Sequence, residues 1–439
     1  MMQLIAYPPR SEWSELLKRP AASAQSLERA VEEVFTAVRE NGDQAVCDFT
    51  RQFDGVSLES PVLPETEISR LAELVPGHLR DAIDLAYENI LQFHEAQKTP
   101  AVRVQTRPGV DCWQEKKPID KVGIYIPGGT APLFSTVLML AIPAAIAGCR
   151  EVVLCSPPDQ AGNLHPAICY AARKCGVRTV YRAGGIQAIA AMTYGTREIP
   201  AVYKIFGPGN QYVTQAKQRA VREGVAIDMP AGPSEVLVAA DDSANPAYIA
   251  ADLLSQAEHG RDSQVLLLTD DAELPGAVRR ELETMLRTLP RREIASDAID
   301  NSRMILLESP GEIAEMINQY APEHLIICHR QEEFLLREIR NAGSVFLGNL
   351  TPESAGDYAS GTNHTLPTNG YARQYSGVNL DSFTKAITYQ RLSDRGVREI
   401  GPAIITMAEA EGLSAHALAM KLRVADLHEM PNKKEKEDA

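Results

Sequence analysis

Regular alternation between short apolar strands and helical segments is the feature that most limits how this chain can fold. From residue 121 onward, the apolar stretches KVGIYI, EVVLC, VRTVY and VYKIF are each followed by a segment with helical periodicity. Only short links join the segments, and strands that alternate with helices in this way form a parallel sheet covered by helices on both faces. After PAGPSEVLVAADD the alternation resumes and continues to GSVFLG. The sequence therefore predicts two such sheets.

We expect an α/β fold with two Rossmann-like parallel domains, a small N-terminal arm and a helical C-terminal domain. The arm covers residues 1–22. The first α/β domain combines residues 23–124 with residues 234–378, and residues 125–233 form an inserted α/β domain that binds a nucleotide. Residues 379–439 contain GPAIITMAEAEGLSAHALAMKLRV and form the C-terminal helical domain.

Size and charge narrow the class of protein. The 439 residues are enough for two or three domains, and a net charge of −14 without a basic cluster argues against nucleic acid or an anionic membrane as a partner. The longest apolar run, residues 137–148, is too short to span a bilayer, and the N-terminus lacks the apolar core of a secretion signal. Seven cysteines without a CxxC pair suit a reducing compartment, so we expect a cytoplasmic protein.

Two turns that contain glycine, YIPGGTAPLFS and IFGPGNQYVT, each join a strand to a helix. Glycine lets backbone N–H groups approach a ligand closely, and a helix N-terminus attracts phosphate. Neither turn matches GxGxxG, so two interpretations stay open: a nucleotide site, or tight turns whose backbone requires glycine. Tyr125 and Asn210 flank the turns and Gln187 follows the AGG turn. These three side chains are either nucleotide contacts or ordinary polar groups of loops.

The stretch QYAPEHLIICH places a carboxylate beside an imidazole. Glu323 and His324 follow a helix that ends before Pro322, and they precede an apolar strand. A carboxylate and an imidazole fixed in a turn suit acid–base chemistry. The alternative is a structural glutamate that caps the turn and a histidine on the surface.

The stretch LLSQAEHGRD places an amide and an imidazole near the end of a helix. Gln256 lies on the inner face of that helix, His259 follows three residues later, and Gly260 is the predicted stop. One interpretation is a metal or substrate site at the edge of a domain. The other is a glutamine bound to backbone and a histidine whose charge is favourable at a helix C-terminus.

Two further segments carry polar candidates. The loop TPESAGDYASGTNHTLPTNG contains Asp357 and His364, and the stretch AEAEGLSAHALAMKL contains Glu411 and His416, with Gly412 predicted to break the helix between them. Four of the candidates offer nitrogen and oxygen donors suited to Zn²⁺ or a similar divalent ion. They are Gln256, His259, Asp357 and His416. Their spacing does not establish that they converge, and no HExxH pattern is present.

Taken together with VGIYIPGGTAPLFSTVLMLAIPAAIAGC, FGPGN and PAGPSEVLV, these stretches resemble the histidinol dehydrogenase family over nearly the whole chain. The resemblance implies a homodimeric enzyme with one Zn²⁺ per subunit. It implies oxidation of L-histidinol through L-histidinal to L-histidine, the last steps of histidine biosynthesis, with reduction of two NAD⁺. It also implies that the C-terminal domain reaches into the partner's active site.

The resemblance assigns a role to each candidate residue. It implies that Glu323 and His324 carry the acid–base steps, and that Tyr125, Gln187 and Asn210 contact NAD. The implied metal ligands are Gln256, His259, Asp357 and His416. The implied substrate contacts are Ser234, Gln256, His259, His324, Asp357, His364, Glu411 and His416. Because they lie in the C-terminal domain, Glu411 and His416 are expected to serve the other subunit.

Three alternative functions remain. The layout and SGTNHTLPT are similar to aldehyde and semialdehyde dehydrogenases, but such enzymes need a cysteine nucleophile, and Cys149 in AGCREVV is interpreted as a small core residue. The second alternative is a dehydrogenase of the same family that acts on another amino alcohol or polyol. The third alternative is a nucleotide-binding module without enzymatic activity. The physiological metal also stays open among Zn²⁺, Mn²⁺ and Co²⁺.

Overall fold

The computed structural model describes residues 2–20, 24–128, 132–230 and 232–437. Within these residues the chain forms three sheets, two of six strands and one of three. Contacts divide it into two compact units, one of Met1–Gln97 with Ile119–Phe383 and one of Lys98–Pro118 with Thr384–Ala439. Over the same residues, no helix combines the length and apolar content that crossing a membrane requires.

The described strands are β1 (Gln3–Ala6), β2 (Val62–Leu63), β3 (Val102–Arg107), β4 (Val110–Pro118), β5 (Lys121–Tyr125), β6 (Glu151–Ser156), β7 (Thr179–Arg182), β8 (Lys204–Phe206), β9 (Ala226–Ile227), β10 (Glu235–Ala240), β11 (Gln264–Thr269), β12 (Arg303–Leu306), β13 (His324–Cys328), β14 (Ser344–Leu347) and β15 (Thr384–Leu392).

The described α-helices are α1 (Trp13–Leu16), α2 (Ala24–Asn41), α3 (Asp43–Asp54), α4 (Glu65–Ala72), α5 (Gly77–Glu95), α6 (Phe134–Ala147), α7 (Pro166–Lys174), α8 (Gly185–Tyr194), α9 (Gln211–Arg222), α10 (Pro246–Ala257), α11 (Leu274–Leu286), α12 (Arg292–Asp300), α13 (Pro310–Tyr320), α14 (Glu332–Glu338), α15 (Glu353–Tyr358), α16 (Asp394–Ala410) and α17 (Ser414–Glu437).

The first sheet has the order β1-β12-β11-β10-β13-β14, and all its strands are parallel. Every residue of β10, β11 and β13 is buried. Helices pack on both faces, which explains why these strands read as continuous apolar runs rather than as alternating patterns. At their amino ends, β10 and β13 carry the segments 232–234 and 321–323.

The second sheet has the order β2-β7-β6-β5-β8-β9, parallel except for β2. From β5 the chain moves outward through β6 to β7, whereas β8 and β9 lie on the other side of β5. The order therefore reverses between β5 and β8. In open α/β sheets a crevice forms at such a reversal, at the carboxyl ends of the strands, and binds ligands. Parallel sheets with helices on both faces confirm the predicted fold class.

The second unit differs from the predicted C-terminal helical domain because it contains a sheet. Strand β15 pairs antiparallel with β4, from Thr384 opposite Pro118 to Leu392 opposite Val110, and β4 pairs with β3. Helices α16 and α17 follow and pack against each other. The prediction that residues 379–439 form a helical domain is wrong for residues 384–392, which form β15. Most side chains of β3 and β15 are exposed, so these strands lack the buried apolar run that marked the others.

The predicted domain boundaries also differ from the structure, because the segments that pack around each large sheet are not the predicted ones. Strand β2 pairs with β7, and side chains of α2, α4 and α5 pack into the two cores of the second sheet. Residues 24–97 therefore pack mainly with the segment 125–233, with further contacts from α5 to residues 359–363. Only β1 of the N-terminal arm joins the first sheet. Periodicity identifies a helix but not the sheet it covers. The predicted boundary after residue 22 lies outside the described residues.

Candidate active site

A cleft in the first unit joins the carboxyl ends of the second sheet to the amino ends of the first. Described residues on one side belong to the turns after β5 and β8, including Gly128, Gly207 and Asn210. On the other side lie four residues predicted from the sequence for substrate, metal or acid–base chemistry. They are Ser234, His259, Glu323 and His364. Gly129, in the first glycine turn, lies outside the described residues.

The turn after β8 is fixed by a buried ion pair. The N–H of Gly207 donates to Asp228 Oδ2 over 2.8 Å, and Lys217 Nζ donates to the carbonyl oxygen of Gly207 over 2.9 Å. Lys217 also pairs with Asp228, and both side chains are almost fully buried. Gly207 has a φ of +133°, and a Cβ there would overlap the carbonyl oxygen of Tyr125. Only glycine therefore fits at position 207. Lys217 and Asp228 hold this turn by hydrogen bonds to the carbonyl oxygen and the N–H of Gly207.

Of the three residues predicted to contact NAD, Tyr125 is the last residue of β5, and Gln187 and Asn210 follow β7 and β8. The Tyr125 hydroxyl accepts the N–H of Gly185 over 3.1 Å, and burial raises the pKa of Tyr125 to about 12. Gln187 lies in the first turn of α8 with Nε2 3.5 Å from Asp54 Oδ2, and its buried Oε1 has no hydrogen-bond partner among the described residues. Asn210 caps α9 and lines the cleft.

The predicted acid–base pair is held by a single residue of the neighbouring strand. His324 Nδ1 lies 3.1 Å from the carbonyl oxygen of Glu235, and the N–H of Glu235 donates to Glu323 Oε2 over 2.8 Å. Because a carbonyl only accepts, Nδ1 is the protonated nitrogen in this contact. Both side chains are buried. Burial lowers the pKa of His324, but the carboxylates of Glu353 and Glu323 outweigh it and raise the pKa well above its usual value.

The buried group of His324, Glu353 and Asp357 is able to hold a metal ion. One donor atom from each lies within 4.8 Å of the others. Gln256 Nε2 donates to Glu353 Oε1, while Gln256 Oε1 and Glu353 Oε2 are buried and lack a hydrogen-bond partner in the described part of the chain. Burial raises the pKa of Glu353 well above its usual value. Carboxylate and amide oxygens without partners next to an imidazole fit a divalent cation.

The predicted metal ligands fall into two sets. Asp357 belongs to the metal-capable group, and Gln256 contacts Glu353 and lies 3.4 Å from His324. Burial raises the pKa of Asp357, but its hydrogen bond with His324, and more weakly the charges of His364 and His259, lower it overall. Gln256 and Asp357 thus lie beside His324 in the first unit, and His259 lines the cleft of the same unit.

The fourth predicted metal ligand, His416, and the predicted substrate contact Glu411 lie in the second unit. Glu411 follows the last residue of α16, and Gly412, with a φ of +73°, separates it from α17. His416 is the third residue of α17, and both side chains are exposed. The helix break at Gly412 was predicted from the sequence and is confirmed. The functions of Glu411 and His416 stay predictions.

Two predicted substrate contacts border the same site. His364 Nδ1 donates to the carbonyl oxygen of Asp357 over 2.8 Å, and His364 Nε2 lies 3.0 Å from Thr136 Oγ1. Burial lowers the pKa of His364, which favours its neutral form. Ser234 directly precedes β10 and lines the cleft. His364 therefore connects helix α6 with the backbone of Asp357.

Sequence analysis missed Glu353 and Glu235. Glu353 lies four residues before Asp357, and residues at this spacing share a face of a helix, so the spacing alone was a signal. Glu235 gave no such signal, since it contributes its backbone to the site. Among the described residues that line the cleft there is no cysteine, and Cys149 packs against the core of the second sheet. This arrangement does not support the thiol chemistry of an aldehyde dehydrogenase.

Comparison with known proteins gives one family. The family model for histidinol dehydrogenase matches residues 17–424. A histidinol dehydrogenase of Bacteroides thetaiotaomicron is 56% identical over 427 residues, which cover 97% of this chain and all of that protein. One of Vibrio parahaemolyticus is 51% identical, covering 94% of this chain and 95% of that protein. A crystal structure of histidinol dehydrogenase from Elizabethkingia anophelis has 53% sequence identity and a TM-score of 0.95, covering 97% of this chain and 99% of its own. The chain belongs to the histidinol dehydrogenase family.

Proposed function

We propose that the chain is a zinc- and NAD-dependent histidinol dehydrogenase. It oxidises L-histidinol through L-histidinal to L-histidine, the last steps of histidine biosynthesis, as a homodimer in the cytoplasm. The observation that carries the proposal is the cleft that joins the glycine turns of the second sheet to Ser234, His259, Glu323 and His364. This cleft lies in a chain that is 56% identical to a histidinol dehydrogenase over nearly its full length.

The crevice between β5 and β8 is the proposed site for NAD⁺, which when bound would supply the hydride acceptor for each of the two oxidations. The reversal of strand order and the turn fixed at Gly207 support this location. Asn210 lines the cleft, and Tyr125 and Gln187 follow or end neighbouring strands. These residues are proposed to bind and orient the dinucleotide.

The buried carboxylates beside His324 are the proposed location of Zn²⁺. Gln256, His259 and Asp357 would hold the ion, with Glu353 beside them and His416 of the partner subunit completing the set. When bound, the ion supplies a Lewis acid that orients the imidazole and amine of the substrate. The unpartnered oxygens of Gln256 and Glu353 support this assignment. Ser234 and His364, with Glu411 of the partner subunit, are proposed to bind the substrate.

The acid–base pair divides the proton transfers between its members. With Nδ1 directed at the carbonyl oxygen of Glu235, the base of His324 would be Nε2. A cation bound at the neighbouring carboxylates would offset the negative charge that raises the pKa of His324, which would leave Nε2 able to accept a proton. His324 takes the alcohol proton as the first hydride leaves. Glu323 then removes a proton from water, which adds to the aldehyde while His324 returns its proton to the carbonyl oxygen. His324, now neutral again, takes a hydroxyl proton of the hydrate as the second hydride leaves. Acid–base assistance of this kind contributes about 10²- to 10⁴-fold to each step.

Separate assays of the two half-reactions test these functions. His324→Asn should slow both oxidations by about 10²- to 10⁴-fold, whereas Glu323→Gln should slow mainly the oxidation of histidinal. His329→Asn and Glu333→Gln, which change a histidine at the far end of β13 and an exposed glutamate, serve as matched controls. If Glu323→Gln slows histidinol oxidation as much as histidinal oxidation, the function assigned to Glu323 is wrong.

A further inference from the structure

Arg19, in the N-terminal arm, makes a buried two-point contact with Glu235. Its Nε lies 2.5 Å from Glu235 Oε1 and its Nη2 lies 2.8 Å from Oε2. Nη2 also donates to the carbonyl oxygen of Tyr320 over 2.8 Å, and the guanidinium lies 3.9 Å from the centre of the Tyr320 ring. The side chains of Arg19 and Glu235 are 13% and 2% exposed, so the pair is shielded from solvent.

Glu235 connects this contact to the acid–base pair. Its N–H donates to Glu323 Oε2 and its carbonyl oxygen accepts from His324 Nδ1. Its carboxylate accepts the N–H of Asn369 over 2.7 Å, at the end of the polar loop that carries Asp357 and His364. One residue thus touches both acid–base side chains through its backbone and the loop through its side chain.

Stability alone does not explain the buried ion pair of Arg19 and Glu235. A buried ion pair is often no more stable than a hydrophobic pair of similar volume, because both charges lose their hydration. The carboxylate of Glu235 also lies near that of Glu323, and two buried carboxylates repel each other. The guanidinium of Arg19 offsets this repulsion and fixes the orientation of Glu235 through two parallel hydrogen bonds.

We propose that Arg19 is a positioning residue that acts through Glu235 to orient Glu323 and His324 for both oxidations. It touches neither substrate nor dinucleotide. Its effect on rate comes from the backbone of Glu235, whose displacement would move both reacting side chains together. Misplacement by about 1 Å costs on the order of 10²-fold in rate. This inference rests on the proposed function, since it concerns the same acid–base pair.

Steady-state kinetics of Arg19→Met and Arg19→Lys, with histidinol and with histidinal, test the proposal. Arg19→Met should lower kcat for both oxidations by about 10- to 100-fold, while the KM for NAD⁺ changes by less than about threefold. Arg19→Lys should retain an intermediate kcat, because an ammonium cannot reproduce the two parallel bonds of a guanidinium. Millimolar guanidinium should raise kcat of Arg19→Ala, whose short side chain leaves room for this cation, and leave the unmodified enzyme unchanged.

Arg10→Met is the matched control, because it removes a positive charge from the same arm at a side chain that is 62% exposed. Its kcat should equal that of the unmodified enzyme. If Arg19→Met does not fold, Arg19→Lys with an unchanged melting temperature and a lower kcat carries the test. A kcat unchanged in the folded variants, or a loss in Arg19→Ala that guanidinium does not restore, overturns the proposal. No NADH from the unmodified enzyme with histidinol overturns the proposed function instead.

Discussion

Replacing Lys217 with methionine tests how the glycine turn after β8, part of the proposed dinucleotide site, is held. The ammonium group pairs with Asp228 and donates to the carbonyl oxygen of Gly207 over 2.9 Å. Asp228 in turn accepts the N–H groups of Gly207 and Met229, over 2.8 and 2.7 Å. Methionine fills most of the volume of lysine but removes the charge. The substitution therefore leaves a buried carboxylate with two backbone donors and no counterion.

The size of the effect follows from this change. Removing one partner of a buried ion pair costs about 3–5 kcal/mol, because the remaining charge is left without compensation. Asp228 still accepts two backbone N–H groups, and these stabilise its charge. The expected loss in the free energy of unfolding is therefore near the lower end of this range, about 3 kcal/mol. The carbonyl of Gly207 also loses its donor, so the turn is less well fixed. A rise of about tenfold in the Kd for NAD⁺, equivalent to about 1.4 kcal/mol, is expected.

Urea denaturation and titration with NAD⁺ measure the two effects. The double variant Lys217→Met with Asp228→Asn should be more stable than Lys217→Met alone, since it no longer buries an unpaired charge. Arg222→Met, at an exposed position of the same helix, is the control. A loss below about 1 kcal/mol for Lys217→Met, or a double variant no more stable than the single one, would refute the reasoning.

Two further predictions concern Asp54 and Glu353. Burial raises the pKa of Asp54 from 3.8 to about 6, so its contribution to stability is fully present below pH 3.8 and is lost as the pH rises through 6. Asp54→Asn should therefore be more stable than the original chain by about 1 kcal/mol at pH 7.5, a value reduced for the half-exposed side chain, and the difference should vanish near pH 4 in urea titrations. Glu353→Gln should weaken zinc binding by about 10- to 100-fold in competition with a chelator, with Glu333→Gln unchanged. If Glu353→Gln binds zinc as tightly as the control variant, Glu353 is not part of the metal site.

Much of the local structure was predictable because it depends on residues close in sequence. The apolar runs at 121–125 and 324–328 form the predicted strands. The helix predicted to end at Gly260 instead ends at Ala257, where Glu258 keeps helical dihedral angles. Gly260 has no positive φ, so it is not the helix stop that glycine usually provides.

What the sequence did not predict depends on which distant segments meet. Strand β15 has mostly exposed side chains, and its pairing with β4 joins residues 384–392 to 110–118. The grouping of residues 24–97 with the second sheet likewise depends on β2 pairing with β7. In the site, Arg19 and Glu235 are 216 positions apart, and Glu235 acts through backbone atoms that every residue has. No local pattern of residue types carries that information.

The measurement that tests the central claim most directly is the amount of NADH formed per molecule of L-histidinol consumed, with excess NAD⁺, with and without a chelator. The account predicts two NADH per histidinol, loss of turnover on chelation, and recovery when Zn²⁺ is restored. One NADH with release of histidinal would contradict a four-electron oxidation in one active site, and full turnover after removal of the metal would contradict the zinc site.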